Sequence, residues 1–280
     1  MGHGLEVEPL GDGIGVAIHG LDLSRPMDAA TFAAVRDAFL DRKVMVIPDQ
    51  QGLDVADLVR FARGFGRLKP HILDQYHHPD THEVSILTNR GDSGKGRDTA
   101  KPPGAYWHSD ESYRADPADA TMLYSVEIPD AGGDTLYADM ARAWETLDPR
   151  LQARVEGLMA VHHIFGGRDG GDAKVPLNAA QRARVPEVSH PVVRIHPETG
   201  RKALFVNPGF TNRVEGVDAA DGDALLDALF AHVTRPEFTY RHRWRLGQLV
   251  AWDNRATIHS ATGGYDRTQP RTMYRMMVRA

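Results

Sequence analysis

The sequence predicts a mainly β fold, an antiparallel barrel or sandwich with helices at its periphery. From residue 122 onwards strand signals dominate, and helical patterns interrupt them irregularly. A doubly wound sheet, which needs regular strand–helix–strand alternation, is the weaker alternative. The 27 glycines and 17 prolines are spread over all 280 residues rather than gathered in a linker, as expected for many short elements joined by turns. We therefore expect a single domain over residues 1–280.

In the first part of the chain the periodicity predicts two helices and one strand. Residues 28–42 form an apolar face at helical spacing with Asp28 or Thr31 as the cap, and residues 55–65 show the same spacing. Between them, residues 43–48 read as a short buried strand. Residues 91–105 are polar and rich in glycine and proline, which is typical of a long binding loop.

In the second part of the chain short β-rich runs predict most of the strands. Helical patterns cover about 139–161 and 218–234, and residues 196–202 are expected to form a turn between two strands. The predicted strands are 122–128, 135–137, 192–195, 203–206, 238–245, 248–252 and 271–279.

Composition excludes several classes of function. The chain has no cysteine, so disulfides, thiolate metal sites and cysteine nucleophiles are ruled out. A net charge of −5 argues against a nucleic-acid-binding surface, and no apolar run approaches the ~20 residues of a membrane span. The first residues show no secretory signal pattern, so a cytoplasmic enzyme is the expectation.

One constellation suggests a metal site. His108 and Asp110 are two positions apart, so in extended backbone their side chains point to the same face. His259 follows a predicted strand much later in the chain. Two imidazoles and one carboxylate form the facial triad that suits Fe(II) and leaves coordination positions open. The alternative is a structural His–Asp hydrogen bond at a strand end.

The last predicted strand places two arginines on one face. Strand alternation puts Arg271 and Arg275 together, and both faces of the strand are largely apolar. An arginine on a covered face needs an anionic partner, because an unpaired buried charge is costly. The guanidinium suits bidentate binding of a carboxylate or sulfonate. Alternatively, the two arginines pair with structural carboxylates or lie on an exposed edge strand.

Several segments together resemble the taurine dioxygenase/2,4-dichlorophenoxyacetate dioxygenase family of Fe(II)- and 2-oxoglutarate-dependent oxygenases. The resemblance runs in consistent order from about residue 10 to the end of the chain. The segments that carry it are WHSDESY (107–113), PDAGGDTLYADM (129–140), HPVVRIHPETGRKALFVN (190–207), YRHRWRLGQLVAWDNRATIHSA (240–261) and RTMYR (271–275).

The resemblance implies a double-stranded β-helix, the jelly-roll core shared with cupins, and an iron centre within it. It implies that His108, Asp110 and His259 bind Fe(II). It further implies that Arg271 binds the distal carboxylate of 2-oxoglutarate with help from the Thr135 hydroxyl. The implied reaction consumes O₂, converts 2-oxoglutarate to succinate and CO₂, and hydroxylates a small anionic organic substrate.

The resemblance also suggests substrate-binding residues and departs from the taurine enzymes at two positions. Arg275 is the implied partner of the substrate anion, and His71 matches a substrate-binding histidine. Gly104 replaces an asparagine, and Glu111 replaces an apolar residue. Glu111 either faces a cationic substrate group or is a solvated loop carboxylate. Aryloxyalkanoates, sulfonates and sulfate esters are the expected substrates, with the closer likeness to the aryloxyalkanoate branch.

Three other functions stay open on sequence alone. The same centre could catalyse another oxidation, such as a desaturation or the conversion of an N-substituted amino acid to an isonitrile. The chain could instead be a non-catalytic jelly-roll binding protein or, with weaker support, a zinc hydrolase. We expect no nucleic-acid or membrane partner. The family resemblance favours a homo-oligomer, either a dimer or a tetramer.

Overall fold

The computed structural model describes residues 5–90, 104–168 and 177–280, so most of the predicted 91–105 loop lies outside the described residues. The helices are α1 Ala29–Arg42, α2 Val55–Arg63, α3 Met140–Glu145, α4 Pro149–Val155, α5 Ala179–Ala183 and α6 Ala219–Val233. The strands are β1 Glu6–Pro9, β2 Val16–His19, β3 Val44–Ile47, β4 Arg67–Lys69, β5 His77–His78, β6 Thr81–Thr88, β7 Ala120–Glu127, β8 Thr135–Asp139, β9 Met159–His162, β10 Val188–Pro191, β11 Val193–Ile195, β12 Lys202–Leu204, β13 Thr211–Val214, β14 Thr239–His242, β15 Leu249–Asp253, β16 Thr257–Ala261 and β17 Thr272–Arg279.

A large sheet forms one wall of the molecule. Its order through the described residues is β1-β2-β3-β15-β7-β17-β6-β5, with β4 also paired to β17. All pairings are antiparallel except β2 with β3. Because β17 lies between β7 and β6, Arg275 belongs to an interior strand, and Arg271 directly precedes that strand. The alternative of an exposed edge strand is therefore wrong.

Both faces of this sheet are covered, as the apolar pattern of its strands requires. On β15, Leu249 and Ala251 contact the core beneath α1 and α2, whereas Val250 and Trp252 point to the other face. This alternation follows from the two-residue period of a strand. Helix α1 begins at the N-cap Asp28, whose carboxylate accepts the N–H of Thr31, as the sequence predicted.

A second sheet packs against the first. It has the order β14-β8-β16, and Tyr137 of β8 joins Trp252 in the core between the two sheets. The mainly β prediction with a jelly-roll core and peripheral helices is confirmed. The arrangement places the end of β17 from the large sheet opposite His259 on β16.

The helix predicted over about 139–161 is wrong in extent. Two short helices, α3 and α4, occupy part of it, and its end is strand β9, which pairs with both β10 and β13. Asp148 and Pro149 start a new helix there, because the aspartate caps the N–H groups of α4 and proline suits a first helical position. Strand pairing with distant segments then decides the conformation of residues 159–162. Across the described residues no helix is long and apolar enough to cross a membrane.

Candidate metal centre and cofactor cavity

Three buried side chains lie close together beside strand β16 of the second sheet. His108 and His259 form an isolated antiparallel bridge, in which each backbone N–H donates to the other's carbonyl, at 2.9 and 2.8 Å. Their rings lie 4.1 Å apart between centroids. Asp110 follows two residues after His108, and ligand atoms of all three residues lie within 4.8 Å of one another.

The spacing fits a shared ion better than a direct hydrogen bond. Nε2 of His108 lies 3.8 Å from Oδ1 of Asp110, and Nε2 of His259 lies 3.9 Å from Oδ2. Both distances exceed hydrogen-bond length, so the predicted alternative of a structural His–Asp hydrogen bond is wrong. Two atoms each about 2.1 Å from one ion can be up to roughly 4.2 Å apart, so both pairs can share it.

The protonation states suit a divalent cation. Nδ1 of His108 donates to the carbonyl of Tyr106 at 2.8 Å, so Nε2 carries the free lone pair. Burial lowers the pKa of His259 to about 3, which keeps that imidazole neutral. Burial would raise the pKa of the Asp110 carboxyl, but the two histidines and Arg275 lower it overall. Neutral nitrogens and an anionic oxygen without thiolate are the donor set of a non-haem Fe(II) site.

A cavity of about 180 Å³ opens beside these three residues. Its wall combines aromatic and aliphatic groups with a few charged ones, as is usual for a small-molecule site. The lining includes every residue singled out from the sequence as a ligand or substrate contact, namely His71, His108, Asp110, Glu111, Thr135, His259, Arg271 and Arg275.

Arg271 lines the cavity, and one of its hydrogen-bond donors has no acceptor among the described residues. Its Nε is buried and has no acceptor among the described residues, and Nη2 reaches only the carbonyl of Gly133 at 3.4 Å. Gly133 has φ +72, and a Cβ there would lie 3.1 Å from the Arg271 Nε, so glycine allows this close approach. Burial lowers the pKa of Arg271, yet a guanidinium stays charged at neutral pH. The side chain is thus a half-buried cation whose buried Nε is suited to a carboxylate.

Thr135 is the first residue of β8 and lines the same cavity as Arg271. Its hydroxyl oxygen accepts a hydrogen bond from Nε1 of Trp244 at 3.0 Å. Because an indole nitrogen only donates, the threonine hydroxyl keeps its own proton for another acceptor. Thr135 can therefore donate to an anionic oxygen in the cavity.

Arg275 is a second cation on the same strand face as Arg271. Its Nε is also buried without an acceptor, and neither arginine has a carboxylate within 4.0 Å among the described residues. Pairing with structural carboxylates, the remaining alternative for these arginines, is therefore wrong for the described part of the chain. His71 lines the same cavity, and its Nδ1 accepts the N–H of Leu73 at 3.2 Å. Burial, reinforced by the charge of Arg275, lowers the pKa of His71 well below its usual value, so the neutral ring carries its proton on Nε2.

Glu111 is buried, so its alternative placement as a solvated loop carboxylate is wrong. The residue is 3% exposed, and its Oε2 lies 2.9 Å from Nζ of Lys69. Arg114 approaches the other oxygen at 3.7 Å, and Asp116 pairs with both cations. Glu111 lines the cavity, and both of its oxygens are buried without a well-formed hydrogen bond from the described residues. The ion pairs with Lys69 and Arg114 balance the charge of Glu111, and contact with a cationic substrate group stays a prediction.

The aromatic residues near the site divide into two groups. Tyr106 and Phe210 line the cavity and contact the His108 ring at 4.8 and 5.8 Å between centroids. Trp107, adjacent in sequence, instead packs against the core beneath α6. Thr121 and Asn254, which were not predicted as site residues, both hydrogen-bond to Asp110. The segment LVAWDN points to Asn254 as a polar residue after a buried strand, whereas no local pattern distinguishes Thr121.

The fold and the site together define a jelly-roll protein with a two-histidine, one-carboxylate metal centre. The family model "Taurine catabolism dioxygenase TauD, TfdA family" matches residues 6–277. The chain belongs to this family, and it is an oxidoreductase of the dioxygenase type.

Known relatives of similar length agree with this assignment. The chain is 34% identical over 261 residues to the alpha-ketoglutarate-dependent 2,4-dichlorophenoxyacetate dioxygenase of Cupriavidus pinatubonensis, covering 90% of each chain. It is 34% identical to an alpha-ketoglutarate-dependent sulfate ester dioxygenase of Pseudomonas putida, covering 97% of this chain and 88% of the relative. The crystal structure of a taurine dioxygenase from Burkholderia xenovorans superposes with a TM-score of 0.80 at 34% identity, covering 98% of this chain and 89% of that one.

Proposed function

We propose that the protein is an Fe(II)- and 2-oxoglutarate-dependent dioxygenase that hydroxylates a small anionic organic substrate. The observation that carries the proposal is the meeting of His108, Asp110 and His259 at a cavity that is also lined by two arginines. Both arginines are half-buried, and their buried Nε atoms have no acceptor among the described residues. The relatives' names, which specify alpha-ketoglutarate dependence with an aryloxyalkanoate or sulfate ester substrate, support it.

In this proposal the chain provides separate sites for the metal and for the co-substrate. The two Nε2 atoms and the Asp110 carboxylate hold Fe(II). Arg271 and the Thr135 hydroxyl hold the distal carboxylate of 2-oxoglutarate, because a guanidinium fork and a hydroxyl donor suit a carboxylate. When bound, iron and 2-oxoglutarate activate O₂ and supply the oxidising power, with succinate and CO₂ as co-products.

The remaining cavity residues bind and orient the substrate. Arg275 takes its anionic group, which can be a carboxylate, a sulfonate or a sulfate ester. The Nε2–H of neutral His71 donates a second hydrogen bond. Tyr106 and Phe210 cover the apolar part of the substrate and exclude water. This orientation of one C–H bond toward the metal is the protein's contribution to selectivity.

Hydroxylation next to the heteroatom also explains how the relatives' substrate classes can be cleaved. A hydroxyl placed on the carbon attached to an ether or ester oxygen yields a hemiacetal, which collapses to an aldehyde or ketone and releases the phenol or sulfate. The atoms balance without a protein nucleophile. Product mass spectrometry distinguishes this outcome from desaturation.

Three further expectations belong to the proposal. The family match over residues 6–277 supports a single dioxygenase unit spanning the chain. Assembly into a dimer or tetramer and a cytoplasmic location stay predictions.

A screen for succinate release tests the proposal. Purified protein with Fe(II), ascorbate and 2-oxoglutarate is offered aryloxyalkanoates, sulfonates, sulfate esters and N-substituted amino acids. We expect at least one anionic compound to stimulate succinate release and to yield an oxidised product. The matched controls are Asp110→Ala, which should be inactive, and Arg213→Ala at an exposed surface ion pair, which should be fully active. Iron-loaded protein that releases no succinate with any candidate would favour a binding protein instead.

A further inference from the structure

We propose that Trp252, Asn254 and Thr121 form a hydrogen-bond chain of fixed direction that orients the Asp110 carboxylate and strengthens metal binding. This proposal depends on the proposed function, because it takes Asp110 as a metal ligand. It assigns positioning residues outside the ligand set. Of the three, only Trp252 belongs to the cavity lining.

The contacts form one continuous path. Nε1 of Trp252 donates to Oδ1 of Asn254 at 3.0 Å, and Nδ2 of Asn254 donates to the hydroxyl of Thr121 at 2.9 Å. The Thr121 hydroxyl in turn donates to Oδ2 of Asp110 at 2.7 Å. The backbone N–H of Asp110 closes the loop by donating to Oδ1 of Asn254 at 3.2 Å.

The chemistry of the end groups fixes the direction of every bond. The indole nitrogen can only donate, and so can the backbone nitrogen of Asp110. Both point at the same atom of Asn254, which must therefore be the amide oxygen. The NH₂ group then faces Thr121 and donates to its oxygen. The single hydroxyl proton of Thr121 is left for the Asp110 carboxylate, which as an anion only accepts.

Burial makes this arrangement hard to replace. Thr121 is fully buried, and Trp252 and Asn254 are 1% and 2% exposed. Water has little access to substitute for a missing donor, so loss of one member leaves its neighbour unsatisfied. The carbonyl of Asn254 also accepts the hydroxyl of Ser109 at 2.8 Å, which fastens the backbone just before Asp110.

These hydrogen bonds hold the Asp110 carboxylate in one orientation before a metal ion binds. The Thr121 hydroxyl donates to Oδ2, which lies 3.9 Å from Nε2 of His259, while Oδ1 lies 3.8 Å from Nε2 of His108. Second-sphere hydrogen bonds of this kind typically change metal affinity by about 10- to 100-fold. Thr121 and Asn254 act through Asp110 and touch no reactant.

The test measures metal affinity of the apoprotein, independently of turnover. Mn(II) is titrated calorimetrically into wild type, Thr121→Val and Thr121→Ser. Valine keeps the shape of threonine without the hydroxyl, whereas serine keeps the hydroxyl. The control is Ser125→Ala on the same strand, because it removes an equally buried hydroxyl that bonds to Arg245 and Gln248 carbonyls instead. Thr121→Ala serves as a second hydroxyl-free variant should Thr121→Val not fold.

We expect the hydroxyl-free variants to bind Mn(II) about 10- to 100-fold more weakly than wild type, with Thr121→Ser and Ser125→Ala close to wild type. Unchanged Mn(II) affinity in Thr121→Val, or an equal loss in Ser125→Ala, would overturn the proposal. Failure of wild type itself to bind Mn(II) would overturn the metal-centre assignment and with it the proposed function. The two failures are therefore distinguishable.

Discussion

Replacement of Arg271 by alanine should weaken 2-oxoglutarate binding severely. The half-buried Arg271 side chain lies beside Gly133, and its buried Nε lacks an acceptor among the described residues. A carboxylate bound there is desolvated, so truncation of the arginine leaves a buried anion unpaired. Truncation of one partner of such a pair costs about 2–5 kcal/mol. At about 1.4 kcal/mol per tenfold change, the dissociation constant should rise roughly 30- to 4,000-fold.

Anaerobic calorimetric titration of 2-oxoglutarate into Mn(II)-loaded protein measures this change directly. Arg271→Lys should show an intermediate loss, because it keeps the charge but not the two-pronged donor geometry. Arg213→Ala is the control, since Arg213 pairs with Glu187 at an exposed site on β13. Unchanged 2-oxoglutarate affinity in Arg271→Ala, with the metal still bound, would refute the reasoning.

Three further predictions concern the ligands, the substrate and acid stability. Asp110→Ala and His259→Ala should abolish succinate release while circular dichroism stays native; unfolding would mark these residues as structural. Arg275→Ala should raise the KM for the primary substrate more than that for 2-oxoglutarate, and equal effects would reassign it. Burial holds the pKa of His162 at about 3, so between pH 6.5 and 3 the unfolded chain binds the extra proton and acid destabilises the fold. From pH 7 to pH 5 this costs about 2 kcal/mol, by linkage from an unfolded pKa of ~6.5. In urea unfolding His162→Gln should reduce the pH-dependent loss by that amount, and an unchanged loss would contradict this.

The site residues that follow a short-range sequence pattern could be predicted from the sequence. His108 and Asp110 are two positions apart in the sequence, and strand alternation predicted that Arg271 and Arg275 share a face. The segment resemblance linked these residues to distant His259. The structure brings all five to one cavity. Residues two positions apart in a strand point to the same face, so the spacing of these residues indicated which side chains lie together.

The parts that depend on distant pairing were not predictable. Thr121 and Asn254 are 133 positions apart, and nothing in the sequence near Thr121 distinguishes it from an ordinary core-strand residue. Glu111 suggested a solvated loop because its partner Lys69 lies on β4, far away in sequence. Residues 159–162 continue a helical apolar pattern, yet they become strand β9 because β10 and β13 pair with it on both sides. In each case tertiary contacts outweighed the local preference.

The anaerobic absorption spectrum of the protein with Fe(II) and 2-oxoglutarate tests the central claim most directly. If the two imidazoles and the carboxylate hold iron while Arg271 holds the co-substrate, a visible metal-to-ligand charge-transfer band should form. That band should be lost in His259→Ala and should require far more 2-oxoglutarate in Arg271→Ala. Iron-containing wild-type protein that develops no band at saturating 2-oxoglutarate would contradict the account.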